Sequence, residues 1–306
     1  MGTLTKGLIA MQKIKPVEWL WEPLIPKNCI SVLASRGGVG KSGFALWIAD
    51  QLSSEGKKIL YIDAENTGFH IKQRVEDWNL SLDNIYFYML ECEDGSQTTG
   101  APKTLQDLDK IIEECDPDLV IIDSLTVFAR GLDINRRDVM AHYLEEITRM
   151  ASRRSTGILI LAHNNKKGSE DSVSLDSISG SGAITDLARS VMVMEEFGPE
   201  GGRIINQFKL NLAAKSDPLT FCITSTGITD VKFLEESCRP SGTKAERLRI
   251  AALELLQHGL NKKEVRAELK TMGAAPLEYG RAIDWASNKL GIVWDGDIKI
   301  ASQQES

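Results

Sequence analysis

The stretch Leu33-Ala34-Ser35-Arg36-Gly37-Gly38-Val39-Gly40-Lys41-Ser42 decides how this chain is read. It follows the apolar run Cys29–Ala34 and precedes a helical pattern over Lys41–Ser53. A strand, a glycine-rich turn and a helix in that order make a loop that wraps nucleotide phosphates. Gly37, Gly38 and Gly40 let the backbone curl so that successive N–H groups face inward, and the helix adds the positive end of its dipole. Lys41 is placed to reach the β- and γ-phosphates of ATP, and the Ser42 hydroxyl to bind Mg²⁺. Ser35, Arg36 and Val39 complete the loop. The pattern G-x-x-x-x-G-K-[ST] has glycine where this chain has Ser35, so the entry to the turn is expected to differ. The bland alternative is a glycine-rich turn without a ligand.

Around the loop, strand and helix patterns alternate. Lys58–Asp63, Asn84–Leu90, Asp118–Asp123, Gly157–Ala162 and Ser190–Met194 read as strands, most of them almost wholly apolar. Thr67–Trp78, Thr104–Cys115 and Asp138–Arg154 read as helices, the last with Val139, Tyr143, Ile147 and Met150 on one face. Strands without a polar face belong to sheets covered on both sides, and the alternation predicts an α/β fold with a mostly parallel sheet. Arg203–Asn211, Leu219–Ser225 and Ile228–Phe233 follow with only short turns between them, which predicts an antiparallel extension of the same sheet.

Two of the strands end in acid. Leu-Val-Ile-Ile-Asp123 offers the carboxylate for the Mg²⁺ shell. Ile-Leu-Tyr-Ile-Asp63-Ala-Glu65 offers, in Glu65, a carboxylate just past the strand end that could activate water. Each could instead be an ordinary acid closing a strand and capping the next helix. A third strand ends at His163, where a polar side chain would lie near the γ-phosphate.

These motifs together resemble the RecA-fold ATPases, in particular the RepA-like branch of hexameric replicative helicases of plasmids and phages. The resemblance covers roughly residues 17–233. It begins at Val17-Glu-Trp-Leu-Trp-Glu-Pro-Leu-Ile-Pro26, similar to the segment that precedes the loop in that branch, and continues through Ser35–Ser42, Asp63-Ala-Glu65, Asp123-Ser124 and His163. It implies that Glu65 activates water, that Asp123 holds Mg²⁺ and that His163 senses the γ-phosphate and couples it to a DNA-binding loop. It also implies a homo-hexamer with ATP between neighbours and single-stranded DNA in the central channel. A neighbour then supplies a basic finger, and Lys209 falls near that place. The arginine expected nearby in DnaB-type helicases is replaced by Asn211 or lies elsewhere, with Arg189 and Arg203 as candidates. Two loops could reach DNA: the first carries Arg130, Arg136 and Arg137, the second Lys166 and Lys167. Basic side chains of this kind neutralise phosphates without reading sequence.

The boundaries expected are an ATPase domain over 1–234, a linker over 235–243 and a small winged-helix-like domain over 244–306. In the last, Lys244–Gln257 is helical with Leu248, Ala252 and Leu255 on one face. Asn261 with Glu264 is a capping box for a second helix carrying Val265 and Leu269, and Pro276 opens a third. Asp295-Gly296 then turns a hairpin. Such a domain could touch duplex DNA or a protein, and its basic residues barely outnumber its acidic ones.

Composition bounds the rest. The chain has 306 residues and a net charge of −7, which argues against a protein that coats nucleic acid through bulk charge. The cysteines at 29, 92, 115, 222 and 238 form no C-x-x-C pair, so neither a disulfide framework nor a zinc site is expected. With no long apolar run and no secretory leader, the chain is expected to be cytoplasmic and away from membranes. The leading reading is an ATP-driven helicase or translocase on single-stranded DNA. The alternatives are a non-motor ATPase serving as helicase loader, recombination mediator or regulator, and an ATP-regulated winged-helix DNA-binding protein. A small-molecule kinase ranks last, because no acceptor site or arginine-bearing lid is visible.

Overall fold

The computed structural model describes residue 7 and residues 16–65, 68–134, 136–164, 178, 182–197, 201–234, 244–296 and 298–302. These fall into two compact units, one reaching to residue 234 and one from 244 to 302. In chain order the first comprises β1 (Trp19–Trp21), β2 (Ile25–Pro26), β3 (Ile30–Ser35), α1 (Lys41–Ser54), β4 (Ile59–Asp63), α2 (Gly68–Trp78) and β5 (Ile85–Phe87). Then come β6 (Met89–Glu91), β7 (Gln97–Thr99), α3 (Leu105–Cys115), β8 (Leu119–Asp123), α4 (Leu125–Phe128), α5 (Arg137–Arg154) and β9 (Gly157–His163). The unit closes with α6 (Ala183–Leu187), β10 (Ser190–Glu196), β11 (Gly202–Leu210), β12 (Leu219–Thr224) and β13 (Gly227–Phe233).

One nine-stranded sheet organises this unit, in the order β13-β12-β11-β10-β3-β9-β8-β4-β5. From β10 to β5 all pairings are parallel, and β11, β12 and β13 add on antiparallel. The α/β class, the parallel core and the antiparallel extension are those expected from the sequence, and the core is RecA-like. The apolar runs are buried on both faces. Leu33, Ile121 and Leu161 join a cluster that α1 covers with Phe44, Ala45, Ile48, Ala49 and Leu52. Their neighbours Val32, Ile122 and Ile160 are fully buried on the opposite face. Phe44 stacks on Phe221 of β12 at 4.7 Å and meets Trp21 of β1 at 5.8 Å, so the antiparallel strands and the β1–β2 hairpin share the core of α1. A fully buried phenylalanine contributes roughly 1.5–3 kcal/mol.

Three local expectations change. The run Asn84–Leu90 is not one strand: β5 stays in the main sheet, while β6 leaves it to pair with β7 in a separate hairpin. The hairpin turns at Asp94-Gly95, where Asp94 accepts from the Ser96 N–H and hydroxyl. The buried stripe of α5 is Met140, Leu144, Ile147, Met150 and Ala151. Val139 and Tyr143 lie at its border, one residue off the expected face. The segment over 17–26, read only as a lead-in, forms the β1–β2 hairpin.

The second unit comprises α7 (Lys244–Gln257), α8 (Lys262–Thr271), α9 (Pro276–Lys289), β14 (Ile292–Asp295) and β15 (Ile298–Ser302), three helices and a hairpin in the expected order. Asn261 accepts from the Lys263 and Glu264 N–H groups and Glu264 accepts from the Asn261 N–H, closing the capping box. Leu248, Ala252, Leu256, Val265, Leu269 and Ile283 make its core, so the buried face of α7 runs through Leu256 rather than Leu255. The linker expected over 235–243 lies outside the described residues. Among those described, no helix is long and apolar enough to cross a membrane.

Candidate nucleotide site

Four neighbouring strands deliver the site. In β3, β9, β8 and β4, Ser35 stands opposite His163 and Asp63 opposite Asp123. Their C-terminal ends therefore bring the glycine-rich loop, His163, Asp123 and the Asp63–Glu65 turn to one edge of the sheet, where open α/β sheets bind ligands.

Ser35 is the last residue of β3, extended and fully buried, and its hydroxyl donates to the Arg36 carbonyl at 2.7 Å. Nothing in that conformation demands glycine, so the departure from the usual motif leaves the loop intact. The left-handed positions are Gly38 (φ 80°) and Gly40 (φ 111°), the latter capping α1. Lys41 is only 6% exposed. Burial lowers the pKa of its ammonium, opposed by the negative charges of Asp123 and Glu65. Its Nζ lies 3.5 Å from His163 Nδ1, and His163 Nε2 lies 3.1 Å from Glu65 Oε2. An ammonium can only donate, so Nδ1 accepts from Lys41 and the Nε2–H donates to Glu65. Lys41, His163 and Glu65 thus form one hydrogen-bonded chain.

The Glu65 turn is fixed from below. The Ala64 and Glu65 N–H groups donate to the Asp123 carbonyl at 2.6 and 3.2 Å, and the Glu65 N–H lies 3.2 Å from Asp63 Oδ1. Burial raises the pKa of the Glu65 carboxyl. The nearby Ser124 hydroxyl, the hydrogen bond from His163 and the charge of Lys41 outweigh that and hold it below the ordinary glutamate value. Asp123 behaves oppositely. It is 1% exposed, and burial together with Asp63 and Glu65 pushes it up to about 6, against hydrogen bonds from the Ser42 hydroxyl and Tyr61.

The donor set fits Mg²⁺, which is held by one or two carboxylates with phosphate and water rather than by a full protein cage. Ser42 and Asp123 already meet, and a cation between them favours the ionised carboxylate. Among the described residues no group of three or more His, Cys, Asp or Glu could hold a metal by itself.

Two contributors were not anticipated from the sequence. Tyr61 is fully buried, and its hydroxyl donates to Asp123 Oδ2 at 3.2 Å, with the Ser42 carbonyl at 3.5 Å. The signal was present: in a strand, Tyr61 and Asp63 share a face, and a lone hydroxyl in an apolar run needs a partner. Thr99 of β7 lies 3.4 Å from Asp63 Oδ2 and ties the β6–β7 hairpin to the site. Tyr61→Phe is expected to raise the Mg²⁺ concentration for half-maximal hydrolysis about tenfold, the scale of one hydrogen bond to a charged group. A Mg²⁺ titration of hydrolysis measures this, and an unchanged requirement would count against Tyr61 as the residue that orients Asp123.

The residues expected to reach a neighbour or DNA are placed apart from this chain of bonds. Lys209 donates to the Thr185 and Asp186 carbonyls at 2.6 and 2.8 Å, at the C-terminal end of α6. Arg203 donates to the Val39 carbonyl of its own phosphate loop. Arg189 and Arg130 are exposed. Arg136 pairs with Asp138, and Arg137 with Asp186 at 2.6 Å. Phe128, the aromatic at the head of the first loop, is buried rather than presented for base stacking. Lys166 and Lys167 lie outside the described residues.

A family model described as an AAA domain matches residues 3–169, more than half the chain. The chain belongs to that family. The AAA-domain stretch carries Lys41, Ser42, Glu65, Asp123 and His163, while Arg203 and Lys209 lie beyond it. The chain is also similar to proteins named DNA repair protein RadA. The relative from Listeria monocytogenes is 26% identical over 269 residues, 84% of this chain and 52% of that protein. Those from Aquifex aeolicus and Bacillus subtilis are each 24% identical, over 71% and 69% of this chain and 46% and 44% of theirs. The chain thus spans about half the length of the curated relatives it matches. Family and fold together make it a RecA-like P-loop ATPase.

Proposed function

We propose that this AAA-domain protein hydrolyses ATP with Mg²⁺ and uses the energy to act on single-stranded DNA as a ring-forming helicase or translocase. The observation that carries the reading is the unbroken path from the phosphate loop through Lys41 and His163 to Glu65, beside Asp123 and Ser42. Lys41 neutralises the β- and γ-phosphates. Glu65, held ionised, orients the attacking water and accepts its proton. Mg²⁺ held by Ser42 and Asp123 would neutralise the phosphate oxygens. When the γ-phosphate draws Lys41 away, His163 loses its Nδ1 partner, and the segment that follows it receives that change. The relatives' name supports DNA as the polymer acted upon. The resemblance to the RepA-like branch supports the ring.

A non-motor role, as loader, recombination mediator or regulator, is the second reading, and one observation favours it. Two of the side chains considered for the finger, Lys209 and Arg203, are engaged by carbonyls of their own chain. A finger must release such bonds before it can reach a neighbour's phosphate.

Hydrolysis measured with and without single-stranded DNA separates the two. The motor reading expects stimulation of about tenfold or more, a barrier lowered by about 1.4 kcal/mol, together with a hexamer by light scattering. Slow hydrolysis indifferent to DNA, from a species smaller than a ring, would replace it with the second reading.

A further inference from the structure

Arg203, the second residue of β11, reaches the phosphate loop from the antiparallel half of the sheet. Its Nε donates to the Val39 carbonyl at 2.6 Å and its Nη1 to the Gly202 carbonyl at 2.8 Å, while Nη2 lies 3.9 Å from Glu196. The side chain is 14% exposed, so the guanidinium is packed rather than waving in solvent. Val39 sits between Gly38 and Gly40, the two left-handed positions of the loop. The same end of the antiparallel strands supports the loop a second time, because a side chain at Gly40 would run into Ile223 of β12.

We propose that Arg203 is a positioning residue of its own subunit's phosphate loop, and not a finger for a neighbour. The carbonyl and N–H of a trans peptide point in opposite directions. Holding the Val39 carbonyl on the Arg203 side aims the Gly40 N–H the other way, as a phosphate-binding loop requires, and keeps a carbonyl oxygen from turning towards the phosphates. The Val39–Gly40 plane ends on a glycine at positive φ, whose own backbone restrains it little. An external anchor there removes conformational freedom that the nucleotide would otherwise have to remove on binding.

The inference rests on the ATPase reading, and the two fail differently. A loop strut serves the β-phosphate, which ADP and ATP share, whereas a finger serves the γ-phosphate, which ADP lacks. The test is equilibrium binding of a fluorescent ADP and a non-hydrolysable ATP analogue to the full chain, with Arg203→Gln and Arg203→Lys as variants and the melting temperature of each unliganded protein alongside. Arg203→Gln is expected to weaken both nucleotides by the same factor, about tenfold, the scale of one charge-assisted hydrogen bond. Arg203→Lys, which keeps one charged donor, is expected to recover part of the loss for both, with melting temperatures near that of the wild type. Unchanged ADP affinity in either folded variant, with hydrolysis reduced, would overturn the proposal in favour of a γ-phosphate or neighbour-facing role. If Arg203→Gln does not fold, Arg203→Lys alone decides by the same comparison. Failure of the wild type to bind either nucleotide would instead remove the ATPase reading itself.

Discussion

Glu65→Gln is expected to lower kcat by about 10²- to 10⁴-fold, the range over which a positioned general base contributes, while ATP and ADP still bind. The geometry separates these effects. Glu65 lies past the end of β4, with its backbone pinned by Asp123 and Asp63 and its carboxylate on His163. Glutamine can keep the hydrogen bond to His163 and nearly the same volume, but it cannot accept a proton from water. Lys41 and the loop, which grip the nucleotide, are untouched. Single-turnover hydrolysis and equilibrium binding on the same protein check the claim. A kcat within a few-fold of wild type would assign the water to another group. Asp63, which shares the turn and is 1% exposed, would then be the carboxylate to test.

Lys41→Ala is the second large effect, and it should appear in binding as well as turnover. The ammonium is removed from water and balanced by Asp123, Glu65 and the lone pair of His163. Truncating one partner of a buried charge pair costs roughly 2–5 kcal/mol, so ATP affinity should fall by about 100-fold. Hydrolysis should be lost with or without DNA. The contrast between the variants carries the weight: Glu65→Gln keeps the nucleotide and loses the reaction, while Lys41→Ala loses both. If Lys41→Ala bound ATP as well as the wild type, the glycine-rich turn would be structural, and the site would have to be sought elsewhere.

Much of this was legible in the chain because the parallel strands are buried on both faces. Such strands appear as unbroken apolar runs, and their ends are marked by the first polar residue. That is how Asp123, Asp63 and His163 announced themselves, and why the sheet and its antiparallel extension could be read with boundaries a residue or two off. Legibility failed where a local pattern could not see its long-range partner. Tyr86 to Leu90 is continuous in β character, and only pairing with Gln97–Thr99 divides it. The Trp-Leu-Trp segment is too short and too close to Pro23 and Pro26 to read as a strand. Tyr61 looked like one more core residue until Asp123 was set beside it. Arg203 carried no signal for the loop, because the contact joins residues far apart in sequence through the sheet alone.

The meeting of Gly40 and Ile223 also bears on how such a sequence can change over time. The two positions constrain each other unequally. Ile223 presents the free end of a flexible side chain, so a shorter residue there clears the space beside Gly40. That clearance does not license a side chain at 40, because the left-handed backbone would still be strained. Drift at 223 is therefore open and reversible, whereas drift at 40 is closed whatever its neighbour becomes. The constraint at position 40 comes from its own backbone, so it outlasts any change made at position 223.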